Sequence, residues 1–107
     1  LLQAMEKDLG SKIKVLSVDG GASKNNLLMQ IQADLLGRKL RRPKITETTS
    51  LGAVFAAGLG AGIWNSLNDI EKVWTLDQEF ESKISNSDRK PKLAAWNLAL
   101  KRVRLKN

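Results

Sequence analysis

Between Ile13 and Leu36 the sequence passes from Ile13-Lys14-Val15-Leu16-Ser17-Val18, through Asp19-Gly20-Gly21, into a helical pattern. That order constrains the fold more than any other feature of the chain. The first run has the β-branched and apolar content of a strand, and its last residues are apolar enough for an interior strand covered on both faces. In the helical run, Leu27, Leu28, Ile31 and Leu35 form one apolar stripe, Ser23 is the expected N-cap, and Gly37 is the stop. A strand delivered through a tight turn into a helix is half of a βαβ unit, so the expected class is a layered α/β fold.

The rest of the chain supports that layer unevenly. Leu1, Leu2, Met5 and Leu9 predict a first helix ended by Gly10. Lys39–Arg42 reads as a short, highly charged strand stopped by Pro43, and its cations suit an edge strand that resists aberrant pairing. Thr46-Glu47-Thr48-Thr49-Ser50 is a hydroxyl-rich turn expected to cap a helix over 51–64. In that helix Gly52, Ala56 and Gly60 permit close approach of a neighbouring element, beside a stripe of Phe55, Leu59 and Ile63. Further helices are expected over 67–74 and from about Asp88 to Leu105, the second docking through Leu93, Trp96, Leu100 and Val103. Only two strands are legible, and a stable sheet needs three or more with a covered face, so the missing strands are expected from a longer polypeptide. The start inside a helix, without an initiator Met, fits a single partial domain over residues 1–107.

Composition removes several kinds of chemistry. Cys 0 excludes a disulfide scaffold, a thiolate metal site and a cysteine nucleophile, and His 0 excludes a Ser-His-Asp triad and imidazole ligands. Catalysis here must use carboxylates, amines, hydroxyls or backbone groups. The net charge of +7 is a C-terminal feature: every acid lies at or before Asp88, and the basic residues from Arg89 to Lys106 have none among them. The run Lys101, Arg102, Arg104, Lys106 sits where a helix dipole favours cations, and Arg38–Lys44 lacks the interleaved aromatics of a nucleic-acid surface. Neither a nucleic acid nor a membrane is an expected partner. No apolar leader opens the chain, and the apolar stretch 51–64 falls short of the roughly twenty residues a bilayer span needs, so a cytoplasmic location is expected.

The sharpest candidate site is the Asp19-Gly20-Gly21-Ala22-Ser23 junction. Adjacent glycines let the backbone approach a ligand, and the following helix turns free N–H groups toward that space, which suits an anion such as phosphate. Neither a Gly-x-Gly-x-x-Gly nor a Walker A pattern is present, and Gly-Gly before a helix also describes a plain turn. Asn25 and Asn26 follow in the first helical turn, placed either to cap it or to hydrogen-bond a base or sugar. Asp19 fits a turn-stabilising carboxylate better than a metal ligand or base.

Val18-Asp19-Gly20-Gly21-Ala22-Ser23-Lys24-Asn25-Asn26, Leu28-Met29-Gln30, Gln32-Ala33-Asp34, Leu36-Gly37, Arg42-Pro43, Glu47-Thr48-Thr49, Leu51-Gly52-Ala53 and Ala57-Gly58-Leu59 together resemble the FGGY family of carbohydrate kinases over about residues 1–96. The Asp-Gly-Gly-x-x-x-Asn element with Leu-Met-Gln and Glu-Thr-Thr looks more like the glycerol-phosphorylating branch than the xylulose or gluconate branches. The resemblance implies the last part of the C-terminal, ATP-side domain of an actin-like ATPase fold built from two ribonuclease-H-like domains. It implies transfer of the ATP γ-phosphate to glycerol, with ATP and Mg²⁺ in the interdomain cleft and ADP as product. Carried over residue by residue, it implies that Gly21, with Gly20 beside it, meets the nucleotide phosphates and that Asn25 holds the adenosine. The family's aspartate base and glycerol contacts fall in segments before residue 1, so no catalytic or metal-binding residue is expected here. Another FGGY sugar kinase, or a truncated non-catalytic nucleotide-binding or interaction fragment, is the alternative, and assembly into a homo-oligomer stays open.

Overall fold

A computed structural model describes residues 1–105. The strand–turn–helix unit is present: β1 (Val15–Ser17) leads through a 3-10 turn (Gly21–Lys24) into α2 (Asn26–Leu36), which returns through Gly37 to β2 (Lys39–Pro43), parallel to β1. Before it lies α1 (Leu2–Leu9), ended by Gly10 in the left-handed conformation. After it come α3 (Thr48–Gly60), α4 (Leu67–Glu71), β3 (Leu76–Phe80) and α5 (Asn86–Arg104). No helix among the described residues is long and apolar enough to cross a membrane.

The third strand is the main departure from the sequence reading. Leu76–Phe80 pairs antiparallel with β2, giving the order β1-β2-β3, so Lys39–Arg42 is the central strand and not an edge. Its charges are matched by pairing. Lys39 meets Glu79 and Glu81, Arg41 meets Glu79 and stacks on Trp74, and Arg42 turns to the opposite face and meets Asp77. Opposite charges across strands satisfy cations that solvent would otherwise have to hold. Leu-Asp-Gln-Glu-Phe carries no apolar alternation because its polar side chains answer those of β2, which is why the strand is hard to read from sequence. The register shifts between Arg42 and Pro43, where proline withholds its N–H, and pairing resumes at Pro43–Leu76.

α2 covers one face of this sheet. Met29, Ala33, Leu40 and Phe80 are buried, with Leu16, Val18, Leu28 and Leu36 packed around them. That core is small, and the Cα radius of gyration of 17.5 Å exceeds the about 13 Å of a compact 100-residue domain. Val15 is 41% exposed and Trp96 is 60% exposed, so the free edge of β1 and much of the α5 stripe lack cover from the described residues. In the α5 stripe Leu93 is half-buried in a groove with Leu1, Leu2, Leu35 and Leu36, whereas Val103 stands in solvent.

Smaller expectations shift as well. Ser23 is not the N-cap: it is buried in the 3-10 turn, its hydroxyl donates to the Gly20 carbonyl at 2.6 Å, and α2 is capped by Asn25. The hydroxyl-rich turn does not cap α3, whose N-cap is Glu47 without a side-chain hydrogen bond. α4 ends at Glu71, short of Trp74, and α5 begins two residues early, capped by Ser85. Gly52 and Gly60 have nothing within 4 Å of the space a Cβ would fill, and the close approach falls at Gly58, against the Trp64 ring. Trp64 also meets Phe55 edge-on, with ring centroids 5.4 Å apart. Of the C-terminal basic run, Lys106 lies outside the described residues.

Glu6 fastens α1 to the βαβ unit, accepting hydrogen bonds from Arg38 Nε and Nη2 at 3.1 and 2.9 Å and from Ile13 N–H at 3.0 Å. The Arg38 guanidinium is the main reason its carboxyl sits below the ordinary carboxylate range. A folded-state value below the unfolded one gives stability that is present above the unfolded value and lost as pH falls through the folded one. Glu6→Gln is therefore expected to lower the thermal midpoint at neutral pH, with the difference from wild type closing in acid. A constant difference down to the most acid folded pH contradicts this.

Candidate nucleotide-facing loop

β1 and β2 run parallel, so the loops that follow them leave the same edge of the sheet. In open α/β sheets that carboxyl edge is where ligands bind. The two loops are joined here. Gly20 N–H donates to the Thr46 carbonyl at 2.8 Å, and Thr48 Oγ1 donates to Asp19 Oδ2. Thr46 is buried beneath the junction. Asp19 thus holds one loop to the other, the role of a turn-stabilising carboxylate extended across two loops.

The two glycines do different jobs. Gly20 has φ 84° and ψ 170°, a conformation that side-chain-bearing residues rarely adopt, and this turns the chain sharply at the end of the strand. Gly21 has no positive φ, and nothing lies within 4 Å of where its Cβ would be. Glycine there leaves the approach open and the backbone bare. Gly21 N–H and Ala22 N–H have no acceptor among the described residues, while Ser23 N–H and Asn25 N–H are taken up by the Gly20 and Ala22 carbonyls. Two adjacent free donors on an exposed glycine loop form a donor set suited to an anionic oxygen.

Asn25 combines the two roles weighed for it. Its Oδ1 accepts from Leu28 N–H at 3.1 Å, which caps α2. A carboxamide also carries two N–H donors, and those of Asn25 have no partner among the described residues. Asn26 Oδ1 instead accepts from Arg42 Nη1 at 2.8 Å and is structural. Gly20, Gly21 and the Asn25 amide therefore lie within one short segment at the loop edge. Sequence reasoning missed Arg42, which holds that segment from below, and it missed Thr46 and Thr48, which hold it from the side. A long-range partner for a threonine in a hydroxyl-rich turn leaves no local pattern.

Residues 1–61 match the C-terminal domain of the FGGY family of carbohydrate kinases. The chain belongs to that family. Over 103 residues it is 50% identical to the glycerol kinase of Bdellovibrio bacteriovorus, covering 96% of this chain and 21% of that one. It is 48% identical over 102 residues to glycerol kinase 2 of Saccharolobus solfataricus, covering 95% of this chain and 20% of that one. Among solved structures it resembles Plasmodium falciparum glycerol kinase with ADP, with a TM-score of 0.78 and 36% identity over 98% of this chain and 21% of that one. The chain thus spans about a fifth of the length of these FGGY relatives.

Thr48→Val removes the hydroxyl that joins the two loops and keeps the β-branched shape. Faster amide hydrogen exchange is expected at Gly20, whose N–H bonds the Thr46 carbonyl, with α2 unaffected. Unchanged exchange at Gly20 would show that the Gly20–Thr46 backbone bond alone holds the loop.

Proposed function

We propose that this chain forms the nucleotide-side wall of a glycerol kinase, which transfers the γ-phosphate of ATP to glycerol and yields glycerol 3-phosphate and ADP. The observation that carries the reading is the open Gly20-Gly21 loop, with its two free N–H donors, at the carboxyl edge of the parallel pair. The relatives named glycerol kinase, and the fold shared with one solved with ADP, support it.

In this reading residues 1–107 are one partial domain, the closing part of a ribonuclease-H-like half of an actin-like ATPase. The cleft, the carboxylate that orients the glycerol hydroxyl and the glycerol contacts belong to other segments of the kinase. The residues here fit the nucleotide by their donor chemistry. Gly21 and Ala22 offer backbone N–H to phosphate oxygens without a side chain in the way, and the Asn25 amide donates toward the adenosine while its oxygen keeps the helix capped. Fixed donors of this kind act by positioning and by stabilising charge, which is most of what phosphoryl transfer asks of a protein. Bound ATP supplies the transferred phosphoryl group.

Mg²⁺ is a different case. Among the described residues no three carboxylates come together as a metal site, and Asp19 is engaged by Thr48. This segment alone does not fit the ion, and no step is assigned to it here. The protein is expected to work in the cytoplasm.

Gly21→Val, made in the kinase that carries this chain, places a branched side chain where the phosphates approach. An ATP KM raised about tenfold or more, equivalent to about 1.4 kcal/mol, is expected with the glycerol KM unchanged. Asn25→Ser keeps a capping oxygen and removes the amide donors. It is expected to weaken nucleotide affinity roughly threefold to tenfold, the range for one net hydrogen bond, with kcat retained. Wild-type ATP kinetics in a folded Gly21→Val protein removes that residue from the site. A collapse of kcat at constant KM would move Asn25 to the transition state.

A further inference from the structure

We propose that Arg42 is the positioning residue of the nucleotide loop: its guanidinium fixes the segment on both sides of Asn25 against β3, so that nucleotide affinity depends on a residue that never touches the nucleotide. The inference rests on the reading of Gly21 and Asn25 given above. It goes beyond that reading by assigning a determinant on another strand.

The geometry is unusually complete. An arginine carries five N–H donors in a rigid plane, and here four donate hydrogen bonds while Nη2 also meets Asp77 as an ion pair. Nε donates to Asp77 Oδ2 at 2.9 Å, and Nη2 lies 2.8 Å from the same oxygen and 3.3 Å from Gln78 Oε1. Nη1 donates to the Ser23 carbonyl and to Asn26 Oδ1, both at 2.8 Å. The face of the group covers the Phe80 ring, 5.2 Å from its centroid. The residue is 7% exposed, so few of these bonds compete with water.

What the donors reach matters more than their number. Ser23 and Asn26 flank the Lys24-Asn25 step, where the 3-10 turn gives way to α2 and where the chain is held by no sheet hydrogen bond. One nitrogen holds both flanks, so this side chain ties the turn that carries the Gly21–Ala22 donors to the helix start beside Asn25, adding a link across the sheet to the local bonds that Ser23 and Asn25 make. The other half of the fork is anchored on β3 by Asp77, which is still 43% exposed at its side chain. Lysine can replace the charge, but its compact ammonium cannot span Ser23, Asn26 and Asp77 together.

The test uses the full-length kinase that carries this chain, with ADP titrated by calorimetry and steady-state kinetics in which ATP and glycerol are varied separately. Arg42→Lys is expected to weaken ADP and raise the ATP KM about threefold to tenfold, the loss of one net hydrogen bond to the loop, with the glycerol KM unchanged. Asn26→Ala, at an exposed position, should move ADP affinity in the same direction by less, and Asn26→Asp, which keeps the acceptor, should restore it. A merely structural arginine would lower the melting temperature without this split. Wild-type ADP affinity in folded Arg42→Lys and Asn26→Ala overturns the proposal. If Arg42→Lys does not fold, the Asn26 pair decides it alone. A wild-type protein that binds ADP but leaves glycerol unphosphorylated overturns the glycerol kinase reading, and the ADP comparison still decides Arg42. A wild-type protein that does not bind ADP overturns both.

Discussion

A buried guanidinium is costly unless every donor and the charge are answered, and Arg42 is answered by residues 16, 19 and 35 positions away in sequence. That requirement links the start of α2, the 3-10 turn and β3 into one arrangement. Without it, β3 would still meet β2 through its backbone ladder, the Leu40–Phe80 pair and the ion pairs of Lys39 and Arg41 on the other face, but the turn and the start of α2 would lose their side-chain link to the sheet. With it, the short sheet, the helix that covers it and the loop at its edge form one unit despite a core of four buried apolar residues among those described.

The loop inherits its character from this support. Several polar side chains around it are occupied: Asp19 by Thr48, Ser23 by Gly20, and Asn26 by Arg42. Among the groups left open are the backbone N–H of Gly21 and Ala22, the amide donors of Asn25 and the exposed ammonium of Lys24. Side chains build and hold the surface, and its open donors are largely backbone. This division suits a phosphate, because amide donors stay fixed in direction and do not titrate. In the proposed reading, a chain without histidine or cysteine contributes by placement, with the proton chemistry left to other segments.

Much of the fold was legible because it is local. The strand, the glycine turn, the α2 stripe and the Gly37 stop each follow from neighbouring residues, and the family resemblance drew on the same stretch. What escaped was long-range. The charges of Lys39, Arg41 and Arg42 read as an edge device because their partners lie in a strand of alternating acid and amide with no apolar signature. Ser23 read as the N-cap because a serine opens the apolar run, but the 3-10 turn moves that role two residues on, to Asn25. The Gly52, Ala56 and Gly60 face of α3 was read as a place for close approach, but the space beside Gly52 and Gly60 is open and the close contact is made at Gly58 on a different face, where Trp64 folds back. For the candidate site, sequence singled out Gly20, Gly21 and Asn25, and the geometry gives them different parts as turn, bare backbone and cap with spare amide donors.

The proposal turns on the Gly21 and Ala22 backbone N–H groups facing nucleotide phosphates. Amide hydrogen exchange of the full-length protein that carries this chain, with and without saturating ADP, tests it most directly. Protection is expected at the amides of Gly21 and Ala22, whose donors have no acceptor among the described residues, with little change in β3. Protection elsewhere in the protein, with these two amides exchanging as fast as before, would contradict the account.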